Sequence, residues 1–274
     1  MLFATAIARS SVVFQRAVRD IGKQQELLEE DALVKDRSYV EKQIEQAREQ
    51  YEADPTAPGK INAYVDALVK TEDEQQENKA VEVLEKAWKD TQQYQFRFRI
   101  GDIKMRQMTR RYRELVNEGD KDAAARYARE QLEFELQEYA DRVKNYPTDL
   151  GLKYELGRRQ YMAGNYDEAI GLLQEAQRDP RRQALAMIYL GLSFSKKDWH
   201  REAADTFKRL LENVEMSEER TKEARYYYGQ TLERMDELEA AADQYSQVAQ
   251  MDYRYKDVRD RLESVRKKLD EAGG

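Results

Sequence analysis

The chain has 274 residues, 37% of them charged and 41% hydrophobic, with a formal net charge of −7. That length supports a substantial core, while the acidic balance repels nucleic acid and anionic lipid at long range. The absence of cysteine excludes disulfides, thiolate catalysis and cysteine metal sites together and suits a cytoplasmic protein, and no apolar run is long enough to span a membrane. Only four prolines and 12 glycines interrupt the chain, which favours helices over a turn-rich β fold.

The first 22 residues carry three arginines and two serines and no acid before Asp20. That composition suits an amphipathic targeting segment. The three-to-four spacing of Phe3, Ile7, Phe14, Ala17 and Ile21 suits instead the buried stripe of a first helix, and the spacing is the stronger signal. If that stripe is open, it offers a face for self-assembly. Residues 23–35 are charged, with Leu27, Leu28, Leu33 and Val34 but no start or stop signal. A helix is expected from Ser38, where Ser38 and Glu41 have capping-box spacing and Val40, Ile44, Ala47 and Tyr51 share a face. It stops before Pro55, and ADPTAPGK (53–60) is the clearest break in the chain.

Between Lys60 and Asp90 a helical hairpin is expected, with Leu68, Ala80, Leu84 and Ala87 as its contact set. Two long helices follow, over 94–117 and 120–146. Gly119 is placed to end the first and Asp120 to cap the second. Ala124, Ala128, Leu132, Leu136, Tyr139 and Val143 form the apolar stripe of the second helix, which would run roughly 40 Å. This pair reads as an elongated hairpin that projects from the array and returns to it at Tyr146 and Pro147.

In the C-terminal half one pattern recurs three times. A glycine is followed 12 residues later by alanine, 16 later by a large apolar residue and 19 later by another apolar one. The sets are Gly157/Ala169/Leu173/Ala176, Gly191/Ala203/Phe207/Leu210 and Gly229/Ala241/Tyr245/Val248. A fixed period of this length marks helical hairpins that bury their apolar faces against one another. Small residues let the paired helices approach closely while the bulky residue fills the groove beside them. The first two sets are 34 residues apart and the third is displaced by 38, an offset that reads as a four-residue loop insertion near Glu215 to Arg220. Tyr255 to Asp270 completes the array as a capping helix, with Val258, Leu262, Val265 and Leu269 inward.

The spacing resembles the tetratricopeptide repeat, most closely from Thr148 to Pro180, where "GNYDEAI" is near the family consensus. Lys153, Met187 and Arg225 replace the large aromatic usually found four residues before the first small position. The long hairpin and the ending MDYRYKDVRDRL resemble those of bacterial tetratricopeptide proteins of unassigned role. The expected fold is therefore all-α, an α-solenoid of helix-turn-helix repeats. Its parts are an N-terminal helical segment (1–54), a degenerate repeat plus elongated hairpin (55–147), and three repeats with a capping helix (148–274).

The resemblance implies non-enzymatic binding of a protein or peptide in the groove lined by the first helix of each repeat. By motif register the groove holds Tyr154, Arg158, Tyr161, Ile188, Leu192, Ser195, Tyr226, Gln230 and Arg234, of which Tyr154, Ile188 and Tyr226 also suit packing between repeats. Family members that grip the C-terminal carboxylate of chaperones use lysine, asparagine and arginine at set groove positions. Tyr154, Arg158, Ile188, Leu192, Tyr226 and Gln230 stand at the fifth and ninth positions here, so that clamp is absent.

No catalytic, metal or cofactor site is expected. His200 is the sole histidine, at a repeat position usually filled by tyrosine, which makes it a packing residue and rules out triads and multi-histidine metal sites. Gly151 and Gly157 lack the GK[ST] ending of a phosphate loop. One helix is strongly basic, with Arg99, Arg106, Arg110 and Arg113 on one face near Tyr94, Phe96 and Phe98. That face suits RNA or an acidic peptide. Intramolecular pairing with Glu130, Glu133, Glu135, Glu138 and Asp141 on the next helix is the favoured reading, which leaves nucleic acid the lesser partner.

Overall fold

The computed structural model describes residues 38–273, and the expectations for residues 1–35 and for the start of the helix at Ser38 fall outside that range or on its edge. The described residues form two compact units divided after Gln107, within one long helix.

In the first unit, helix α1 covers 38–53, α2 Pro58–Val69 and α3 Glu74–Thr91, and α4 (Tyr94–Glu118) begins. Pro58 opens α2, where its missing N–H removes no helical bond. Asp73 caps α3 by accepting from the Gln76 amide at 3.0 Å. Leu68, Ala80, Leu84 and Ala87 are all buried, together with Ile61, Tyr64, Val65, Phe96, Ile100 and Ile103. Ile44, Ala47 and Tyr51 of α1 pack against this core, and the Tyr51 ring stacks on Tyr64 at 5.4 Å.

The second unit takes the end of α4, then α5 (Lys121–Asn145), α6 (Leu150–Met162), α7 (Tyr166–Ala176), α8 (Gln183–Lys196), α9 (His200–Asn213), α10 (Glu218–Arg234), α11 (Leu238–Met251) and α12 (Val258–Gly273). Gly119 has φ +79° and the Asp120 carboxylate accepts from the Ala123 amide at 2.9 Å, the stop and start expected there. Helices α6 to α11 form three hairpins stacked in order, each packed on the next, and α12 covers α11. This is an α-solenoid of tetratricopeptide-like repeats.

The glycines show why the pattern repeats. A Cβ on Gly157 would lie 2.9 Å from Leu173 Cγ, one on Gly191 2.6 Å from Phe207 Cζ, and one on Gly229 2.7 Å from Tyr245 Cε1. The bulky residue 16 positions on thus sits in the notch that the missing side chain leaves. Ala169, Ala203 and Ala241 are fully buried beside it.

The turns within the hairpins share a second constraint. Gly164, Asp198 and Asp236 follow the C-caps of α6, α8 and α10, and all three are left-handed, with φ of +84°, +58° and +63°. The next amide then reaches back to close the helix: Asn165 to the Gln160 carbonyl at 2.9 Å, and Trp199 to Phe194 and Glu237 to Leu232 at 3.0 Å each. Asp198→Gly is expected to stabilise the second hairpin by about 0.5–1 kcal/mol, since glycine meets no steric penalty there. A lower thermal midpoint for the variant would show that the Asp198 side chain contributes more than its backbone strain removes.

Two expectations need correction. The four extra residues before the third repeat are not a loop insertion. Helices α9 and α10 have 14 and 17 residues where α7 and α8 have 11 and 14, while the connection shrinks from 177–182 to 214–217. Added helical turns keep every backbone group paired, and helix propensity across this polar stretch permits them. The capping helix begins at Val258 rather than Tyr255, because residues 253–257 turn back across α10 with Lys256 left-handed at φ +48°.

Candidate functional site

The first helices of the three repeats, α6, α8 and α10, lie side by side and make one face of the second unit. Tyrosines dominate it. Tyr161 of α6 meets Tyr189 of α8 at 5.4 Å between ring centroids, and Tyr154 meets the same ring at 6.4 Å. On α10, Tyr226 and Tyr227 meet edge to face at 5.4 Å, and Tyr255 adds a third ring 5.7 Å from Tyr226. Tyr154, Ile188 and Tyr226 are buried, so these groove positions serve packing between repeats. Burial pushes the Tyr154 hydroxyl up to about 12. Tyr161, Tyr189, Leu192 and Tyr227 remain half-buried, with surface toward solvent.

The polar groove candidates divide by what already holds them. The Ser195 hydroxyl lies 3.1 Å from that of Thr231, and Arg234 donates to the Ser195 carbonyl at 3.3 Å, which ties α8 to α10. Arg158 shares the Glu155 carboxylate, at 3.3 Å, with Arg159 at 2.6 Å. Gln230 belongs to a network that docks α12. Its amide oxygen accepts from Arg261 at 3.1 Å and lies 2.9 Å from the Tyr226 hydroxyl, which donates to Asp257. Arg261 also reaches Glu233 at 3.0 Å and Asp257 at 3.1 Å, and the Tyr245 hydroxyl donates to Glu233 at 3.0 Å. Partial burial would raise the Asp257 carboxyl, but Tyr226 and Arg261 outweigh it and hold it below the usual carboxylate range.

The sequence reading missed Tyr189, Tyr227, Tyr255 and Lys256. The first two fall one position outside the motif register used to choose groove residues. The last two lie in a connection that helical periodicity cannot place.

The arginine helix is divided between the units, so its residues are described with each. In the first, Arg99 donates to Asn62 Oδ1 at 2.6 Å and pairs with Asp66, both on α2, and Arg106 is exposed. In the second, Arg113 is exposed, Arg110 is half-buried, and Arg111 pairs within its own helix with Glu114 and Glu118. Of the pairs seen, Arg99 finds its acid on α2, and Glu135 is taken by Arg159 of α6 at 2.6 Å. Glu138 and Arg142 of α5 form a buried pair at 3.4 Å. The Tyr139 ring lies between two guanidiniums, 4.0 Å from that of Arg159 and 5.1 Å from that of Arg142.

His200 opens α9, half-buried, 3.7 Å from Asp198. It lines a shallow cavity of about 620 Å³ with Trp199, Arg201, Glu202, Met235 and Glu237, a set without a serine, threonine or lysine nucleophile. Among the described residues no cluster of three or more histidines or carboxylates could hold a metal, and no helix is long and apolar enough to cross a membrane.

The stacked hairpins define a tetratricopeptide-like solenoid with an aromatic face. Neither a protein-family model nor a curated protein matches the chain. Solved structures similar to it include a MamA fragment from Desulfovibrio magneticus, 14% identical over 72% of this chain and 97% of that one, with a TM-score of 0.49. A thermophilic tetratricopeptide protein of Thermus thermophilus is 18% identical over 75% and 98%, with a TM-score of 0.41. A tetratricopeptide repeat protein of Parabacteroides merdae is 11% identical over 88% and 98%, with a TM-score of 0.43. The repeat assignment stands on the glycine contacts described above rather than on these likenesses.

Proposed function

We propose that the second unit is a non-enzymatic recognition scaffold that binds a protein or peptide segment on the face of α6, α8 and α10. The observation that carries this reading is the half-buried row Tyr161, Tyr189 and Tyr227, three large rings fixed on rigid helices and still open to solvent on one side. Aromatic side chains in such a setting offer much contact area with little entropy left to lose. Stacked, fully packed hairpins beneath them keep the face in shape before a partner arrives.

The test is a capture experiment with crosslinking and mass spectrometry on the wild type and on a variant with Arg158, Tyr161 and Arg234 changed to alanine. Partners crosslinked to α6, α8 or α10 in the wild type are expected to be lost from the variant, with unchanged circular dichroism. Retention of all of them would move the binding face elsewhere.

A further inference from the structure

Lys256 is held in an unusual way. Its ammonium lies 4.7 Å from the centroid of the Tyr226 ring, 4.2 Å from Tyr227 and 5.2 Å from Tyr255, and it donates to the Tyr227 hydroxyl at 3.0 Å. The backbone beneath it is left-handed, a conformation that a lysine adopts only where its surroundings compensate. Three ring faces supply that compensation through cation–π attraction. Partial burial works against the charge, but the tyrosine hydroxyls and Glu223 outweigh it, and Lys256 titrates above the ordinary lysine value.

Among the described residues no carboxylate lies within ion-pairing distance of Lys256. Its neighbours differ: Lys222, Arg259, Arg261 and Lys268 all have acids in contact. The ammonium has three donors and spends one on Tyr227, so two remain. Arg234, too, has no acid in contact among the described residues. Its guanidinium donates to a backbone carbonyl, and Glu233, adjacent in sequence, is already engaged by Arg261. In a chain of net charge −7, two positioned cations without an ion-paired acid beside an aromatic row favour a ligand that brings carboxylates of its own.

The two are spaced for recognition. Tyr227, which carries Lys256, and Arg234 are seven residues apart on α10, on one side of the helix and about 10 Å along it. A peptide in the polyproline II conformation turns once every three residues and rises about 3.1 Å per residue, so side chains three positions apart share a face and match that distance.

We propose that the partner of this face is an acidic peptide segment, with two carboxylate side chains three residues apart, one received by the caged ammonium of Lys256 and the other by Arg234. The inference rests on the binding face proposed above and names its ligand chemistry. Neither cation occupies the fifth or ninth motif position, so the arrangement differs from the carboxylate clamp that the sequence lacks.

The experiment uses the full chain, immobilised, and two peptide pools. In one, two glutamates are fixed three positions apart and the other positions are randomised without charge; in the other, glutamines replace the glutamates. The wild type is expected to retain the glutamate pool about tenfold more strongly at low salt, with the advantage shrinking as salt rises. Lys256→Met keeps the aliphatic stem over the rings and removes the charge. It is expected to lose most of the advantage while still retaining the glutamine pool and the wild-type circular dichroism, and Lys256→Arg to keep the advantage in part.

Equal retention of the two pools by the wild type, or an undiminished advantage in Lys256→Met combined with Arg234→Met, overturns the inference and leaves the binding face standing. Retention of neither pool removes the peptide-binding face and the inference together. A melting curve lowered in Lys256→Met, with the pool preference unchanged, assigns the caged lysine to holding the 253–257 turn and overturns its recognition role.

Discussion

Phe207→Ala is expected to lower the unfolding free energy by about 3–5 kcal/mol in a urea titration, because a fully buried ring is removed from the centre of the middle hairpin. The loss includes both the transfer of the ring to water and the void left against Gly191 and Tyr227, whose ring lies 6.5 Å away. Gly191→Ala probes the same contact from the other side. Its new methyl would fall 2.6 Å from Phe207 Cζ, and overpacking of this kind costs about 1–3 kcal/mol. The double variant should cost clearly less than the sum of the singles, since the truncated side chain vacates the space the methyl needs. Strict additivity would mean that these two positions do not touch.

The second large effect concerns charge. Glu138 and Arg142 are about 2% exposed, and removing one partner leaves the other ionised inside the protein. Glu138→Leu is expected to cost about 3–5 kcal/mol, and Glu138→Leu combined with Arg142→Met to recover most of it, because an apolar pair avoids the desolvation that ion pairs suffer. Chemical denaturation of the three proteins measures this directly. A single variant as stable as the wild type would show that Arg142 is satisfied by its ring contact with Tyr139 and its other partners.

These two sites mark what was legible in the sequence. Gly191 and Phe207 could be paired from spacing alone, because a residue that must be small and one that must be large recur at the same separation in three hairpins. Periodicity is readable when the same contact is built repeatedly. Glu138 and Arg142 could not be read, because an i, i+4 glutamate and arginine look the same in sequence on a solvated helix face as in a core. The apolar stripe assigned to α5 is buried at Ala124 but only partly so at Leu132, Leu136 and Tyr139, and the charged pair takes the most protected place.

The offset of 38 residues was equally ambiguous. Four residues can enter a loop or lengthen two helices, and only the second outcome is seen. The binding face shows the same division: its scaffold follows from the repeat, while the caging of Lys256 depends on a single left-handed residue in a connection that occurs once.

The closing contact of each of the three repeat hairpins joins residues 16 positions apart, and each of their turns is sealed by a bond across five. Such short-range closure means that a nascent chain need not wait for its distant end. Each hairpin can zip as soon as its second helix leaves the ribosome, and then serves as the template on which the next condenses.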